Sequence, residues 1–166
     1  MRNIVLMGFM GAGKSTIGRK LAKAMNLKFI DTDEYIEKEQ GRKISDIFAE
    51  EGEAVFRDME TSLLRNLQEK KEKFVLSIGG GMPVREENRE LLRKLGMVVY
   101  LKTSKEEIIR RVSGDESRPL LQGGDLEDKV TKLMTARGKI YEETAHAAVW
   151  TDGKTPEKII EEIINL

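Results

Sequence analysis

The sequence predicts an α/β fold in which a parallel sheet carries helices on both of its faces. Three observations predict it. Short, nearly all-apolar runs, as strands buried on both faces require, alternate with longer segments of helical periodicity. A glycine-rich turn, Gly8 to Gly13, follows the first apolar run directly and opens a helical segment. No repeat, low-complexity tract or linker interrupts the 166 residues, a length that suits one domain around one core.

The elements can be justified in order. Residues 3–7 are almost entirely apolar and read as a buried strand, followed by a helix from about Lys14 to Met25. Lys28-Phe29-Ile30 is a second short strand ending at Asp31, and residues 33–40 are helical until Gly41. Two further helices are expected at about 44–51 and 53–70, the second with Phe56, Leu63, Leu64 and Leu67 on one face. Residues 74–78 form the third strand, which Gly79-Gly80-Gly81 breaks. A helix spans about 86–95, with Gly96 as its expected C-cap. Residues 97–101 are the fourth strand. Ser104 and Glu107 form a capping-box pattern for a helix running to about Val112. Residues 113–125, with Gly, Asp, Ser and Pro, read as a loop. A long helix follows over about 126–143, then a fifth strand over 147–150. Thr155-Pro156 opens a last helix to about Asn165. The helical stretch between the second and third strands and the loop at 113–125 are placed to cover the carboxyl ends of the strands, where such sheets bind ligands.

Composition excludes several classes. Hydrophobic residues at 39% and charged residues at 35% are too apolar for disorder and too polar for a membrane protein. The chain runs from Met1-Arg2-Asn3 straight into an apolar strand, without the longer apolar region of a signal peptide, so a cytoplasmic location is expected. The absence of cysteine excludes disulfides and thiolate metal sites, and His146, the only histidine, excludes a histidine zinc site. With 29 acidic and 29 basic residues there is no global field to draw the protein to nucleic acid or an anionic membrane.

Gly8-Phe9-Met10-Gly11-Ala12-Gly13-Lys14-Ser15 matches G-x-x-x-x-G-K-[ST] in full, and Thr16 follows. A chance match in a chain of this size is on the order of one percent, and this one lies between a strand and a helix, as its mechanism requires. Backbone N–H groups of Gly11 to Thr16 face a phosphate chain, Lys14 reaches the β- and γ-phosphates, and Ser15 ligates Mg²⁺. No N-K-x-D segment reads guanine, D-x-x-G is absent after the third strand, and the chain is too short for a motor. A small-molecule kinase using ATP is therefore the leading class.

The acceptor side offers several candidates, each with a plainer alternative. Asp31-Thr32-Asp33 ends the second strand, and carboxylates two apart point the same way if the strand continues. One would then meet metal-bound water and the other a substrate hydroxyl, or else Asp31 or Thr32 caps the next helix. Arg57 and Glu60 share a helix face, as a carboxylate-binding guanidinium held by a carboxylate or as a solvated surface pair. Gly79-Gly80-Gly81 lets backbone approach a ligand, or is a plain loop. Arg118, before Pro119, could close over the transferring phosphate, and Arg137 lies on the long helix four residues before Tyr141. Either could instead be a surface charge. His146 and Trp150 read as structural or incidental.

Taken together, residues 8–16, Asp31-Thr32-Asp33, Phe56-Arg57-Asp58-Met59-Glu60, Gly79-Gly80-Gly81, Ser117-Arg118-Pro119-Leu120-Leu121 and Arg137-Gly138-Lys139-Ile140-Tyr141 resemble the shikimate kinase family, over essentially the whole chain. The resemblance implies a three-layer P-loop NTPase fold with a five-stranded parallel sheet of order 2-3-1-4-5. It implies one domain over 1–166, with a substrate-binding helical region at about 33–62 and a lid at about 113–125. The implied reaction is phosphorylation of the 3-hydroxyl of shikimate by MgATP, in the chorismate route to aromatic amino acids. Asp33 would hold the shikimate hydroxyls and accept the reacting proton. Arg57 and Arg137 would grip the carboxylate, with Glu60 orienting Arg57, and Gly79, Gly80 and Gly81 would line the pocket. Lys14 and Arg118 would stabilise the transferring phosphoryl group, Ser15 and Asp31 would serve Mg²⁺, and Arg111 and Pro156 would neighbour adenine. Arg110 adjoins Arg111, and spacing to Arg118 favours the latter. The implied enzyme is a monomer whose partner is the small molecule shikimate, with no nucleic acid or membrane partner. A kinase for sugar acids or nucleoside monophosphates, or an ATP-binding regulatory protein, are the competing readings.

Overall fold

The computed structural model describes residues 2–113 and 125–166. Arg118, its flanking motif at 117–121 and nearly all of the expected lid lie outside the described residues. Five strands, β1 (Asn3–Met7), β2 (Lys28–Asp31), β3 (Phe74–Ser77), β4 (Gly96–Lys102) and β5 (Ala147–Trp150), form one sheet in the order β2-β3-β1-β4-β5. Every pairing is parallel. The helices are α1 (Lys14–Met25), α2 (Thr32–Gln40), α3 (Ile44–Glu51), α4 (Glu53–Leu67), α5 (Glu86–Leu95), α6 (Lys105–Val112), α7 (Leu126–Thr144) and α8 (Pro156–Ile164). Order and class are those the sequence predicts. A 3-10 turn at Met82–Val84 was not legible in it.

The period-2 alternation of the strands sorts their side chains onto two cores. Val5, Met7, Phe74, Leu76 and Val98 pack on one face against residues of α3, α4, α5 and α7, among them Ile47, Phe56, Leu64, Leu92 and Tyr141. Ile4, Leu6, Val75, Val99, Leu101 and Val149 pack on the other face against Ile17 and Leu21 of α1 and Ile159 and Ile163 of α8. The central strand β1 is therefore apolar at nearly every position because both of its faces are covered. Among the described residues no helix is long and apolar enough to cross a membrane.

Three local expectations change. Gly96 does cap α5, its N–H donating to the Leu92 carbonyl, but with an extended backbone, φ −178°, that begins β4 and not with the left-handed conformation usual for a cap glycine. Glycine is required there because a Cβ would stand 2.3 Å from the carbonyl oxygen of Asn3 on the paired strand. The capping box at α6 is half formed. The Ser104 hydroxyl accepts from the Glu107 N–H at 3.2 Å, but the Glu107 carboxylate binds Arg110 and Arg111, and the Ser104 N–H donates to Asp152. The helix expected to reach residue 70 ends at Leu67. His146 is structural: its Nδ1 accepts from the Val98 N–H at 2.9 Å while its backbone N–H donates to the Val98 carbonyl at 2.8 Å.

Two alanine substitutions should separate the roles of glycine here. Gly96→Ala must push β4 from β1 and should lower stability by about 1–3 kcal/mol. Gly138→Ala in α7, where a Cβ meets nothing within 4 Å, should raise it by about 0.5–1 kcal/mol. Thermal unfolding followed by circular dichroism checks both.

Candidate active site

The carboxyl ends of β1, β2 and β3 open into two adjoining clefts of about 500 and about 470 Å³, sizes usual for small-molecule sites. Both are lined by Met10, Ser15, Asp31, Asp33, Gly79 and Gly80, so they meet along one seam.

The first cleft is built on the turn between β1 and α1. Gly11 and Gly13 take φ of +83° and +89°, a region open to glycine, and this folds the loop back so that α1 starts at its mouth. No side chain caps α1, so its first N–H groups remain for an anion. Ala12, Ser15 and Thr16 line this cleft with the two glycines. Lys14 is buried, and its Nζ donates to the carbonyls of Gly8 and Phe9 at 2.9 and 3.1 Å. The far wall comes from Arg111, Thr151, Lys154, Pro156 and Ile159. Arg111 donates to the Gly11 carbonyl at 2.9 Å and is held by Glu107. Its neighbour Arg110 is exposed, paired with Glu107, and absent from the cleft lining. The adjacent arginines are thereby told apart.

Asp31 stands at the seam, where it makes the cap and a second contact besides. It is the N-cap of α2, with Oδ1 accepting from the Glu34 N–H at 3.1 Å. Its Oδ2 accepts from the Ser15 hydroxyl. The strand does not continue past it: α2 begins at Thr32, and the cap, not strand alternation, keeps Asp33 beside Asp31 on the cleft wall. Thr32, the other candidate for the cap, instead is fully buried and accepts from the Gly79 N–H at 3.1 Å, tying α2 to the end of β3.

The second cleft lies between α2, α3, α4 and the glycine triplet. Arg57 and Glu60 are buried together, which sets aside the solvated surface pair. Arg57 donates through Nη1 to Glu60 at 2.8 Å and through Nη2 to Glu53 at 3.0 Å. Burial pushes the Glu60 carboxyl up to about 7, against the pull of Arg57. Arg137 is buried on α7 and lines the same cleft. The triplet is not a plain loop, since each glycine makes room for a polar side chain. A Cβ would meet Asp33 at 2.8 Å from Gly79, Arg137 at 3.4 Å from Gly80, and the Arg57 guanidinium at 2.2 Å from Gly81. The Tyr141 hydroxyl donates to the Gly80 carbonyl, and burial holds that hydroxyl up at about 12, so it stays a donor. Sequence reasoning missed Phe48 and Met10 on this wall; both resemble ordinary core residues, and only the fold exposes them to the cleft.

Chemically, the arrangement offers an anion cradle with a buried ammonium on one side and two buried guanidiniums with a carboxylate on the other. Asp31 and Asp33 stand where the two meet. The family model for shikimate kinase matches residues 10–166. A shikimate kinase from Chromohalobacter salexigens is 48% identical over 161 residues, 97% of this chain and 89% of its own. One from Persephonella marina is 43% identical over 164 residues, 99% and 98% of the two chains. The solved structure of shikimate kinase from Acinetobacter baumannii in complex with shikimate has a TM-score of 0.95 at 39% identity, over 99% of this chain and 92% of that one.

The triplet's tightest contact gives a test of the site's division. Gly81→Ala must displace the Arg57 guanidinium. It should weaken binding of a carboxylic acid in the second cleft at least tenfold, with nucleotide affinity in the first unchanged, both read by titration calorimetry.

Proposed function

The chain belongs to the shikimate kinase family, and we propose that it transfers the γ-phosphoryl group of ATP to the 3-hydroxyl of shikimate, giving 3-phosphoshikimate and ADP. One observation carries this reading beyond the family: the buried arginines Arg57 and Arg137 share a cleft with Asp33, and that cleft joins the phosphate-loop cleft along Ser15, Asp31 and Asp33. Shikimate has one carboxylate and a ring triol. Two guanidiniums suit the first and an aspartate suits the second.

In this reading Arg57 and Arg137 fix the carboxylate, with Glu60 orienting Arg57. The ring lies over Gly79 to Gly81, where the missing side chains leave room, and the 3-hydroxyl faces the seam. Asp33 holds that hydroxyl and accepts its proton as the oxygen attacks. Backbone N–H groups from Gly11 to Thr16 bind the ATP phosphates, and Lys14 exchanges loop carbonyls for phosphate oxygens. Arg111 and Pro156 border adenine. Arg118 completes the charge clamp by family resemblance, on a lid at about 113–125, while 33–62 forms the acceptor-binding region. Phosphoryl transfer needs mainly this positioning and charge neutralisation.

Mg²⁺ fits the residues present. Ser15 and Asp31 offer hard oxygen donors already in contact at the seam. Among the described residues no three carboxylates or histidines converge, which suits an ion that keeps most of its water. When bound, Mg²⁺ supplies charge neutralisation to the phosphate chain. Action as a cytoplasmic monomer completes the reading, with a small molecule as partner and not nucleic acid or membrane, in keeping with the balanced charge of 29 acids and 29 bases.

An ADP-release assay with shikimate, gluconate and AMP as acceptors tests it. Turnover with shikimate alone is expected, and none at millimolar shikimate would refute the proposal. Arg57→Lys is the sharper variant, because it keeps a cation beside buried Glu60 but loses the planar fork. It should raise the KM for shikimate about 10–100-fold and leave the KM for ATP within about twofold.

A further inference from the structure

The Glu60 carboxyl is fully buried, yet only one of its oxygens is satisfied. Oε1 accepts from Arg57 at 2.8 Å, while Oε2 is shielded from solvent and has no hydrogen-bond partner. A buried carboxylate with one bare oxygen is costly, and protonation removes the cost. The bare oxygen is not turned into the apolar core. It reaches to 3.2 Å from the place of a Gly79 Cβ, and Asp33 Oδ1 reaches to 2.8 Å from the same point. Both oxygens thus lie beside Gly79, and Glu60, Asp33 and Gly79 all line the acceptor cleft.

The groups facing Glu60 come from three helices. Arg57 on α4 touches it and is also held by Glu53; Asp33 on α2 opposes its charge; Arg137 on α7 favours it. Both guanidiniums that offset the Glu60 charge are the ones assigned above to the acceptor's carboxylate. We infer that Glu60 is a proton-linked positioning residue: an anionic acceptor competes with it for Arg57 and Arg137, so entry of the acid is coupled to uptake of a proton from solvent onto Glu60 Oε2. The step balances simply, since a buffer acid gives the proton, an O–H bond forms on Oε2, and no other bond changes. The carboxyl stands ready for this near neutrality, being held up at about 7 before the acceptor arrives. A second carboxylate on the shared guanidiniums can only raise it further. The sign follows by linkage: a group that binds protons more tightly in the complex weakens binding as pH rises above its value in the unliganded protein. Shikimate affinity should therefore fall above about pH 7, by up to tenfold per pH unit, until Glu60 ionises in the complex as well.

This inference rests on the assignment of the second cleft to shikimate. It is tested by titrating the full chain with shikimate, without ATP, between pH 6.5 and 8.5 in buffers of unlike ionisation enthalpy. The wild type should take up a fraction of a proton per shikimate that is largest just above pH 7. Glu60→Gln keeps an acceptor for Arg57 but cannot ionise; it should take up none and bind with a pH-independent affinity. A role confined to holding Arg57 would shift affinity equally at every pH. Binding without proton uptake in the wild type, or uptake that survives in Glu60→Gln, overturns the inference alone. Absence of any binding overturns the functional reading instead. Should the variant fail to fold, ¹³C NMR of the glutamate carboxyls in the wild type decides: one resonance should titrate near 7 and move to higher pH on adding shikimate, and no such resonance overturns the proposal.

Discussion

The Asp31 carboxylate is the joint on which the two halves of the site depend. One oxygen closes the first turn of α2 and the other takes the hydroxyl hydrogen bond of Ser15, at the start of α1. A single side chain thereby fixes the phosphate loop to the helix that carries Asp33. The sheet makes this possible. Parallel pairing of β1, β2 and β3, with Ser77 opposite both Leu6 and Asp31, ends the three strands at one level. The turns that leave them then face each other across a common crevice, as in other open α/β sheets.

A protein with no net charge must bind two anions through local charge alone. It does so by burying cations where they are matched in part. Lys14 rests on two loop carbonyls, and Arg57 on Glu60 and Glu53. A buried pair of this kind contributes little to stability, since desolvation offsets most of its attraction. Its value is orientation, because the guanidinium is held in place before any ligand arrives and less entropy is lost on binding. Thr32 and Tyr141 serve the same end by hydrogen-bonding the backbone of Gly79 and Gly80, which keeps the triplet close to the charged groups it accommodates.

The sheet and nearly every helix were legible because strands buried on both faces leave unbroken apolar runs and because caps such as Ser104 and Thr155 mark helix starts, whereas the strand order came only from the family resemblance. The phosphate loop was legible because its chemistry dictates residue types at fixed spacing. What escaped depended on contacts between distant segments. Gly96 was legible as the cap of α5, but the reason it must be glycine is Asn3, far away in sequence. Each glycine of the triplet answers to a different side chain, brought from α2, α4 and α7. The spacing of Arg57 and Glu60 was visible, whereas their burial was not, since helical periodicity marks a shared face without saying what covers it. Asp31 was read as cap or as metal-site acid; the folded chain shows the cap on one oxygen and the Ser15 hydroxyl on the other, a pairing that no local pattern displays. Spacing favoured Arg111 over Arg110, and the fold gives the physical reason, since Arg111 turns toward the Gly11 carbonyl.

The central claim is that one crevice holds donor and acceptor together, so that phosphate passes directly between them. ³¹P NMR of the enzyme with Mg²⁺, ATP and shikimate tests this most directly. The γ-phosphate signal of ATP should be replaced by a phosphomonoester doublet, split by the ring proton on the carbon that bears the 3-hydroxyl. Conversion of that signal to inorganic phosphate alone, with shikimate left unchanged, would contradict it.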